Sequence, residues 1–151
     1  MDRYTKLRAF LGGDTNEMFE NPDEGLLVMD IIGESAEYRL LARADDRAGI
    51  VTLIAQSHSS SPPQLRNHLT VLLAAANLEL PAGAWIHDTS DGRFGFRLGM
   101  PLSPEDMTLE RMQQFLLSVC ASLERGLPAI EGLLSGQISL EDAFAHIHDR
   151  S

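Results

Sequence analysis

Few residues in this chain have side chains suited to chemistry: the histidines His58, His68, His87, His146 and His148, a single Cys120, and a serine run before a proline pair. A zinc site needs ligands at recurring short spacings, and a metalloprotease needs two histidines one helical turn apart with a glutamate beside the first. Neither pattern occurs in the sequence. His146 and His148 come nearest, but on a helix residues two apart diverge, so these two ligate together only from extended chain. His87 followed by Asp88 has the residue types of an acid–base pair. Both lie in a stretch that alternates like a strand, where neighbours project to opposite faces and cannot act on one substrate; His87 is expected to pack beside Trp85 and Phe96. The run Ser57–Ser61 lacks glycines to bring backbone N–H groups onto a phosphate, and it lacks the Gly-x-Ser-x-Gly elbow of a hydrolase. Cys120 has Leu116, Leu117, Leu123 and Glu124 within a turn and no cation to depress its pKa, so packing is its expected role. Met107 and Met112 suit a helical core better than an adaptable groove. These residues assign no catalytic, cofactor-binding or metal-binding role.

The stretch from Ser61 to Arg97 reads as a helix followed by a hairpin. Ser61 as N-cap, Pro62 at the first helical position and Gln64 at the third make a capping-box start. Leu65, Leu69, Leu72, Leu73 and Ala76 then share one helical face before Asn77, and Ala74-Ala75-Ala76 keeps part of the surface small. Gly83, Trp85 and Asp88 belong to a first strand, Asp91-Gly92 to the centre of a tight turn, and Phe94, Phe96 and Arg97 to the return strand. That register puts Trp85 and His87 on one face with Phe94, Phe96 and Leu98. It sets Asp88 diagonally across from Arg97 on the other face; a turn of odd length would exchange the faces of one strand.

Upstream, Leu7, Phe10 and Leu11 predict a short helix over residues 5–11, stopped by Gly12-Gly13. The acidic stretch around Pro22 predicts a loop. Leu26–Ile32, Glu37–Ala44 and Ile50–Ala55 predict three strands joined at Gly33-Glu34-Ser35 and Asp45-Asp46-Arg47, the third being apolar on both faces and suited to the sheet centre. The serine run should end that strand. Downstream, Ser103-Pro104-Glu105-Asp106 predicts the start of a long helix with Met112, Phe115, Leu116, Val119, Cys120 and Leu123 as its stripe. Pro128 should end or kink it near Gly126; helix then resumes to Gly136, and Ser139 with Asp142 caps a last short one. The expected fold is α+β in the order α-β-β-β-α-β-β-α, with an antiparallel sheet. It forms one domain over residues 1–151, with a core at about 4–134 and a helical C-terminal extension at 137–148.

A chain of 151 residues that is 44% hydrophobic and 23% charged can bury one core. Its net charge of −10 resides in residues 1–61 and 103–151, while the central helix and hairpin are balanced. A negative surface repels phosphate backbones, and no basic cluster interleaved with aromatics counters it, so no nucleic-acid partner is expected. Acidic membrane surfaces are disfavoured for the same reason. The acids either attract a basic partner segment or serve solubility alone. No run reaches the roughly 20 apolar residues of a membrane span. The charged start Met1-Asp2-Arg3 precedes no apolar signal segment, and a lone cysteine suits a reducing compartment, which together make the cytoplasm the expected location.

The order of elements and three local features together resemble the YbjN family over roughly Leu26 to Ala143. These features are the Pro-started helix ending in Asn77, the hairpin of Gly83, Asp88 and Asp91-Gly92 followed by Arg97, and the closing Gly136-x-Ile138-Ser139-x-Glu141-x-Ala143. YbjN-like proteins are labelled bacterial sensory-transduction regulators, and they resemble type III secretion chaperones in fold, which are small acidic α+β domains that pair. The resemblance implies a homodimer holding an extended segment of a client protein, with no catalytic residues to carry over. The expected function is a non-enzymatic, chaperone-like or regulatory protein-binding module that uses a sheet edge or a helix-lined groove, without cofactor, metal, nucleic acid or membrane. Two other functions remain open from the sequence. One is a small-ligand-sensing regulator with a pocket between the Leu65–Leu80 helix and the sheet, and the other is a hydrolase using His87 or His58.

Overall fold

Along β3 (Glu37–Asp45) and β4 (Ile50–Ser60) every second residue is buried: Tyr38, Leu40, Ala42 and Ala44 on one, Val51, Leu53, Ala55 and Ser57 on the other. Successive strand residues face opposite ways, so this period of two commits both strands to burying one common face. Their antiparallel register pairs Leu40 with Ala55 and Ala42 with Leu53. The computed structural model, which describes residues 1–12 and 18–147, extends this pair into a six-stranded sheet. β1 (Phe19–Asn21) and β2 (Leu26–Ile32) lie outside β3, while β6 (Arg93–Pro101) and β5 (Ala84–His87) lie outside β4. The order is β1-β2-β3-β4-β6-β5 with every neighbour antiparallel. The fold is α+β, and β3 and β4 stand at its centre.

Four helices among the described residues supply the other half of the core. α1 (Arg3–Gly12) buries Leu7, and α2 (Arg66–Asn77) buries Leu69, Leu72, Leu73 and Ala76. α3 (Leu109–Leu134) buries Met112, Phe115, Val119, Leu123 and Ile130, and α4 (Leu140–Ile147) buries Ala143. These side chains join Leu27, Tyr38, Leu40, Leu53, Phe94 and Phe96 in one cluster. The helices therefore share the Tyr38–Leu40–Ala42 side of the sheet. No helix among the described residues is long and apolar enough to cross a membrane.

Several local expectations are overturned by tertiary contacts. β4 does not end at Ala55: it continues through the serine run to Ser60, which pairs with Arg93 across a register irregularity after Gln56. Serine is a weak strand former, but β6 alongside provides the ladder, and Ser59 N–H donates to Ser57 Oγ at 3.1 Å within the irregular stretch. The stretch around Pro22, read as loop, contains β1. Ser61 caps no helix. A 3-10 turn at Pro63–Leu65 precedes α2, which starts at Arg66 without a side-chain cap. Similarly, Ser103 caps a separate 3-10 turn at Pro104–Asp106, and α3 starts later under Thr108, whose Oγ1 accepts from Arg111 N–H at 3.3 Å. Gly13 and His148 lie outside the described residues.

α3 also runs unbroken through Pro128 for 26 residues. An internal proline costs a helix about 3 kcal/mol. Pro128 is exposed, whereas Leu127, Ala129, Ile130 and Leu133 around it are buried, and this packing holds the helix together across the missing donor. The helix stops at Gly136, which takes φ 78°. There Gln137 N–H reaches Gly132 O at 3.0 Å and Gly136 N–H reaches Leu133 O at 3.2 Å, the paired bonds of a Schellman close. Ser139 Oγ then accepts from Asp142 N–H at 3.1 Å to start α4.

A Cβ built on Gly126 of α3 would stand 2.2 Å from the nearest indole carbon of Trp85. Gly126→Ala gains about 1 kcal/mol of helix propensity, yet forcing that contact apart costs about 1–3 kcal/mol. The variant is expected to unfold at lower urea than the parent chain, and an unchanged or raised midpoint would show that the indole is free to move.

Candidate functional site

The chemically suited residues meet at one place, the root of the β5–β6 hairpin. Ser61 is 1% exposed; its Oγ donates to the Gly92 carbonyl at 3.0 Å and lies 2.9 Å from His87 Nε2. On the other side of the ring, Nδ1 is 2.8 Å from Thr70 Oγ1 on α2. With the Ser61 proton given to Gly92, Oγ accepts from Nε2–H, and Nδ1 is left to accept from the Thr70 hydroxyl. This arrangement requires neutral imidazole. Burial first, and then the Arg66 guanidinium, hold His87 below the ordinary imidazole range. Arg66 itself bonds Ser61 O through Nε at 3.1 Å and the carbonyls of Thr89 and Ser90 through Nη1, both at 3.2 Å.

A Ser–His nucleophile needs the opposite polarity, with the hydroxyl donating to imidazole and a carboxylate orienting the far nitrogen. Here the serine proton points at a carbonyl, Thr70 stands where the carboxylate would be, and Oγ is buried. The trio instead locks the end of β4, the face of α2 and the hairpin together.

The hairpin connection is longer than two residues. Asp88 N–H donates to Arg93 O at 2.8 Å and Gly92 N–H to Asp88 O at 2.7 Å, which leaves Thr89–Gly92 as the loop. Two added residues preserve the faces, so Trp85 pairs with Phe96 and His87 with Phe94. The expected Asp88–Arg97 diagonal is lost because Arg97 pairs with Ala84, at the far end of the strand. The Asp88 carboxylate accepts from Ser90 Oγ at 2.6 Å and Ser90 N–H at 2.9 Å, bonds that hold it below the usual carboxylate range. His87 and Asp88 do diverge, although His87 turns to Ser61 and Thr70 rather than nestling against Trp85.

The remaining candidates do not converge. His58 is exposed, with Nε2 3.8 Å from Asp30 Oδ1; His68 lies exposed on α2 and His146 on α4. Among the described residues no group of three His, Cys, Asp or Glu is placed to hold a metal ion. Cys120 is half-buried against the Tyr38 hydroxyl, and burial pushes its thiol pKa up. Met107 and Met112 are buried in the core. The space between α2 and the sheet is filled by Leu69, Leu72 and Leu73. A cavity of about 200 Å³ opens beyond the end of α2, lined by Leu80, Trp85, Ser122, Arg125 and Ile147 among others.

The feature that sequence reasoning missed is the second face of the sheet. Register places Phe19 beside Val28, Val28 beside Leu41, Leu41 beside Ile54, and Ile54 beside Arg97. This apolar row crosses four strands on the side that no described helix covers, ending at an arginine. Phe19 is 64% exposed, and Val28, Leu41 and Ile54 are half-buried. Beside the row run Asp30, Arg39 and Gln56 on one side and Leu26, Arg43 and Thr52 on the other. Two shallow depressions indent the face. One of about 380 Å³ is lined by Phe19, Val28, Asp30 and Arg39; the other, of about 440 Å³, lies at the hairpin and includes Gln56, Ile86, His87, Asp88, Arg93 and Phe94. The available signal was the strand Ile50–Ala55, apolar on both faces in a chain with helices enough for only one.

The sheet edge is less accessible than the face. Asn77 at the end of α2 bonds both outward backbone groups of Trp85, donating from Nδ2 to its carbonyl at 3.0 Å and accepting its N–H at Oδ1 at 2.6 Å. β1, on the opposite side, has three residues. Comparison of the chain with protein-family models, with curated proteins and with solved structures finds no match.

His87 gives this hub a pH dependence. Its folded pKa lies below the unfolded value of about 6.5, so the unfolded chain binds the extra proton more readily. The His87 contribution to stability is fully present above that unfolded pKa and is lost as pH falls through the folded one. Urea midpoints measured at pH 7.5 and 5.5 should fall with pH in the parent chain and fall less in His87→Gln. Equal losses in both would remove His87 as the cause.

Proposed function

We propose that this chain is a non-enzymatic protein-binding module, chaperone-like or regulatory, that takes a segment of a partner protein on the open face of its sheet and works as a homodimer. The observation that carries this reading is the uncovered row of Phe19, Val28, Leu41 and Ile54. The free face of an antiparallel sheet ordinarily turns polar residues to water, and an exposed apolar surface rimmed by polar groups marks an interaction site. The likeness of its element order to YbjN proteins supports the same reading, and the proposed setting is the cytoplasm, which a lone, half-buried Cys120 suits.

The homodimer has a separate surface to use. Val71, Ala74 and Leu78 line up on the outward side of α2, with Val71 51% and Leu78 87% exposed. Small Ala74 between them lets two such helices approach across a two-fold axis, the self-complementary contact that a symmetric dimer requires.

The two surfaces are separable by mutation. Sedimentation of the parent chain at micromolar concentration should give a dimer, and Val71→Glu with Leu78→Glu a monomer. In a pulldown from native cell extract read by mass spectrometry, Ile54→Glu should lose at least tenfold of whatever the parent chain retains while its circular dichroism is unchanged. Retention of the same proteins by Ile54→Glu, or of none by the parent chain, would end this reading.

A further inference from the structure

We propose that the segment received by the open face is acidic: an amphipathic stretch whose apolar anchors lie on Val28, Leu41 and Ile54 and whose carboxylates pair with Arg43 and Arg97. This rests on the docking reading above and adds the chemistry of the partner. The chain carries a net charge of −10, yet of its 12 basic residues Arg39, Arg43, Arg93 and Arg97 all project from this one face. The acids that share the face stand away from Arg97: Glu37 lies at the far end of β3, beside Ile32 of β2. Asp30 stands 3.5 Å from Arg39 Nε. Asp45 accepts the N–H groups of Arg47 and Ala48 at 3.0 and 3.1 Å, and Asp88 is held by Ser90.

Arg43 and Arg97 are exposed and have no ion pair or side-chain hydrogen bond among the described residues. One ends the apolar row and the other lies beside it. Arg97 pairs with Ile54 across β4 and β6, while Arg43 follows Leu41 on the same face of β3 and pairs with Thr52. Gly95 and Gly99 flank Arg97 along β6, so no neighbouring side chain on that strand crowds its guanidinium. A guanidinium fork matches a carboxylate in two parallel hydrogen bonds, and beside a partly desolvated apolar contact such a pair is screened less by salt than an open surface pair.

A basic segment would meet these arginines with like charge. So would a second copy stacked face to face, because its own Arg43 and Arg97 would come with it. Phosphate backbones satisfy the arginines and leave Val28, Leu41 and Ile54 without an apolar counterpart, so an acidic protein segment matches both halves of the surface at once.

The test uses two fluorescein-labelled synthetic peptides of equal length with leucines at every third or fourth position, one with glutamates between them and one with lysines, together with a labelled oligothymidylate. Fluorescence anisotropy on the full chain is expected to show the glutamate peptide binding at least tenfold tighter than the lysine peptide, with weakening as salt rises. The Arg43→Glu, Arg97→Glu double variant should invert that preference, and Arg43→Gln, Arg97→Gln should abolish it. Equal affinity for both peptides, or a preference that survives the charge reversal, overturns the acidic partner; if Ile54→Glu still releases both peptides, the docking face itself stands. Failure of either peptide to bind, or undiminished binding to Ile54→Glu, overturns both. Tighter binding of the oligothymidylate, or a dimer that Ile54→Glu dissociates, replaces the acidic segment with nucleic acid or a second copy.

Discussion

Trp85 sits where the layers of the molecule meet. Its indole packs edge-on against Phe96, with ring centroids 5.3 Å apart and planes at 85°, an arrangement that places the positive ring edge on the negative face. Above it, α3 passes with Gly126 at the contact, where any side chain would collide with the ring. Its backbone N–H and carbonyl, which on an edge strand would otherwise need partners, are both taken by the Asn77 amide. α2 cannot slide along the hairpin without breaking two hydrogen bonds, and α3 cannot rotate without driving a Cβ into the indole. One residue thus couples the short edge strand to the ends and middles of two helices, and the groove beside α4 borders the same ring.

That coupling makes the protein one-sided. The fully buried apolar side chains lie on the helical face, and the polar groups trapped at its margin are matched: among the described residues no buried side-chain nitrogen or oxygen lacks a partner. Ser61, His87 and Thr70 illustrate such matching, since the Ser61 proton and both imidazole nitrogens are taken up in bonds that join β4, α2 and the hairpin. Glu124 does the same service at the other end of the sheet, accepting Ser35 N–H at 3.2 Å and so tying the β2–β3 turn to α3. The opposite face is free of these obligations. It keeps the aliphatic row of its central strands and the arginines beside them, while Glu110, Glu131, Glu141 and Asp142 stand exposed on the helical side. Four of the twelve basic residues, Arg39, Arg43, Arg93 and Arg97, stand around the uncovered row.

Local periodicity was enough wherever an element is stabilised mainly by its own pattern. Leu26–Ile32 is a strand with the expected bounds, α2 ends at Asn77, and Leu69, Leu72, Leu73 and Ala76 face the core, because alternation and helical spacing are properties of neighbouring residues. The face assignment of Trp85 and His87 also held, although the turn is two residues longer than expected, since side-chain direction depends only on whether the loop length is even or odd. Serines 57–60 in a strand, helix through Pro128 and a capping serine diverted to a histidine were not legible. In each, a partner distant in sequence supplies what the local residues lack: β6 for the serines, a buried flank on α3 for the proline, and Gly92 with His87 for Ser61.

By itself, then, the amino-acid order determined an α+β chain with its strands, its helical stripes and the parity of its hairpin, since each of these follows from spacing over a few residues. Only the tertiary structure decided which sheet face the helices cover, which edge Asn77 closes and where the arginines gather. Those outcomes depend on strand order and register, which bring Phe19, Val28, Leu41, Ile54 and Arg97 side by side although no two of them are neighbours in the chain. A surface assembled one residue per strand leaves no local pattern to read, and it comes into being when the sheet closes on its helices.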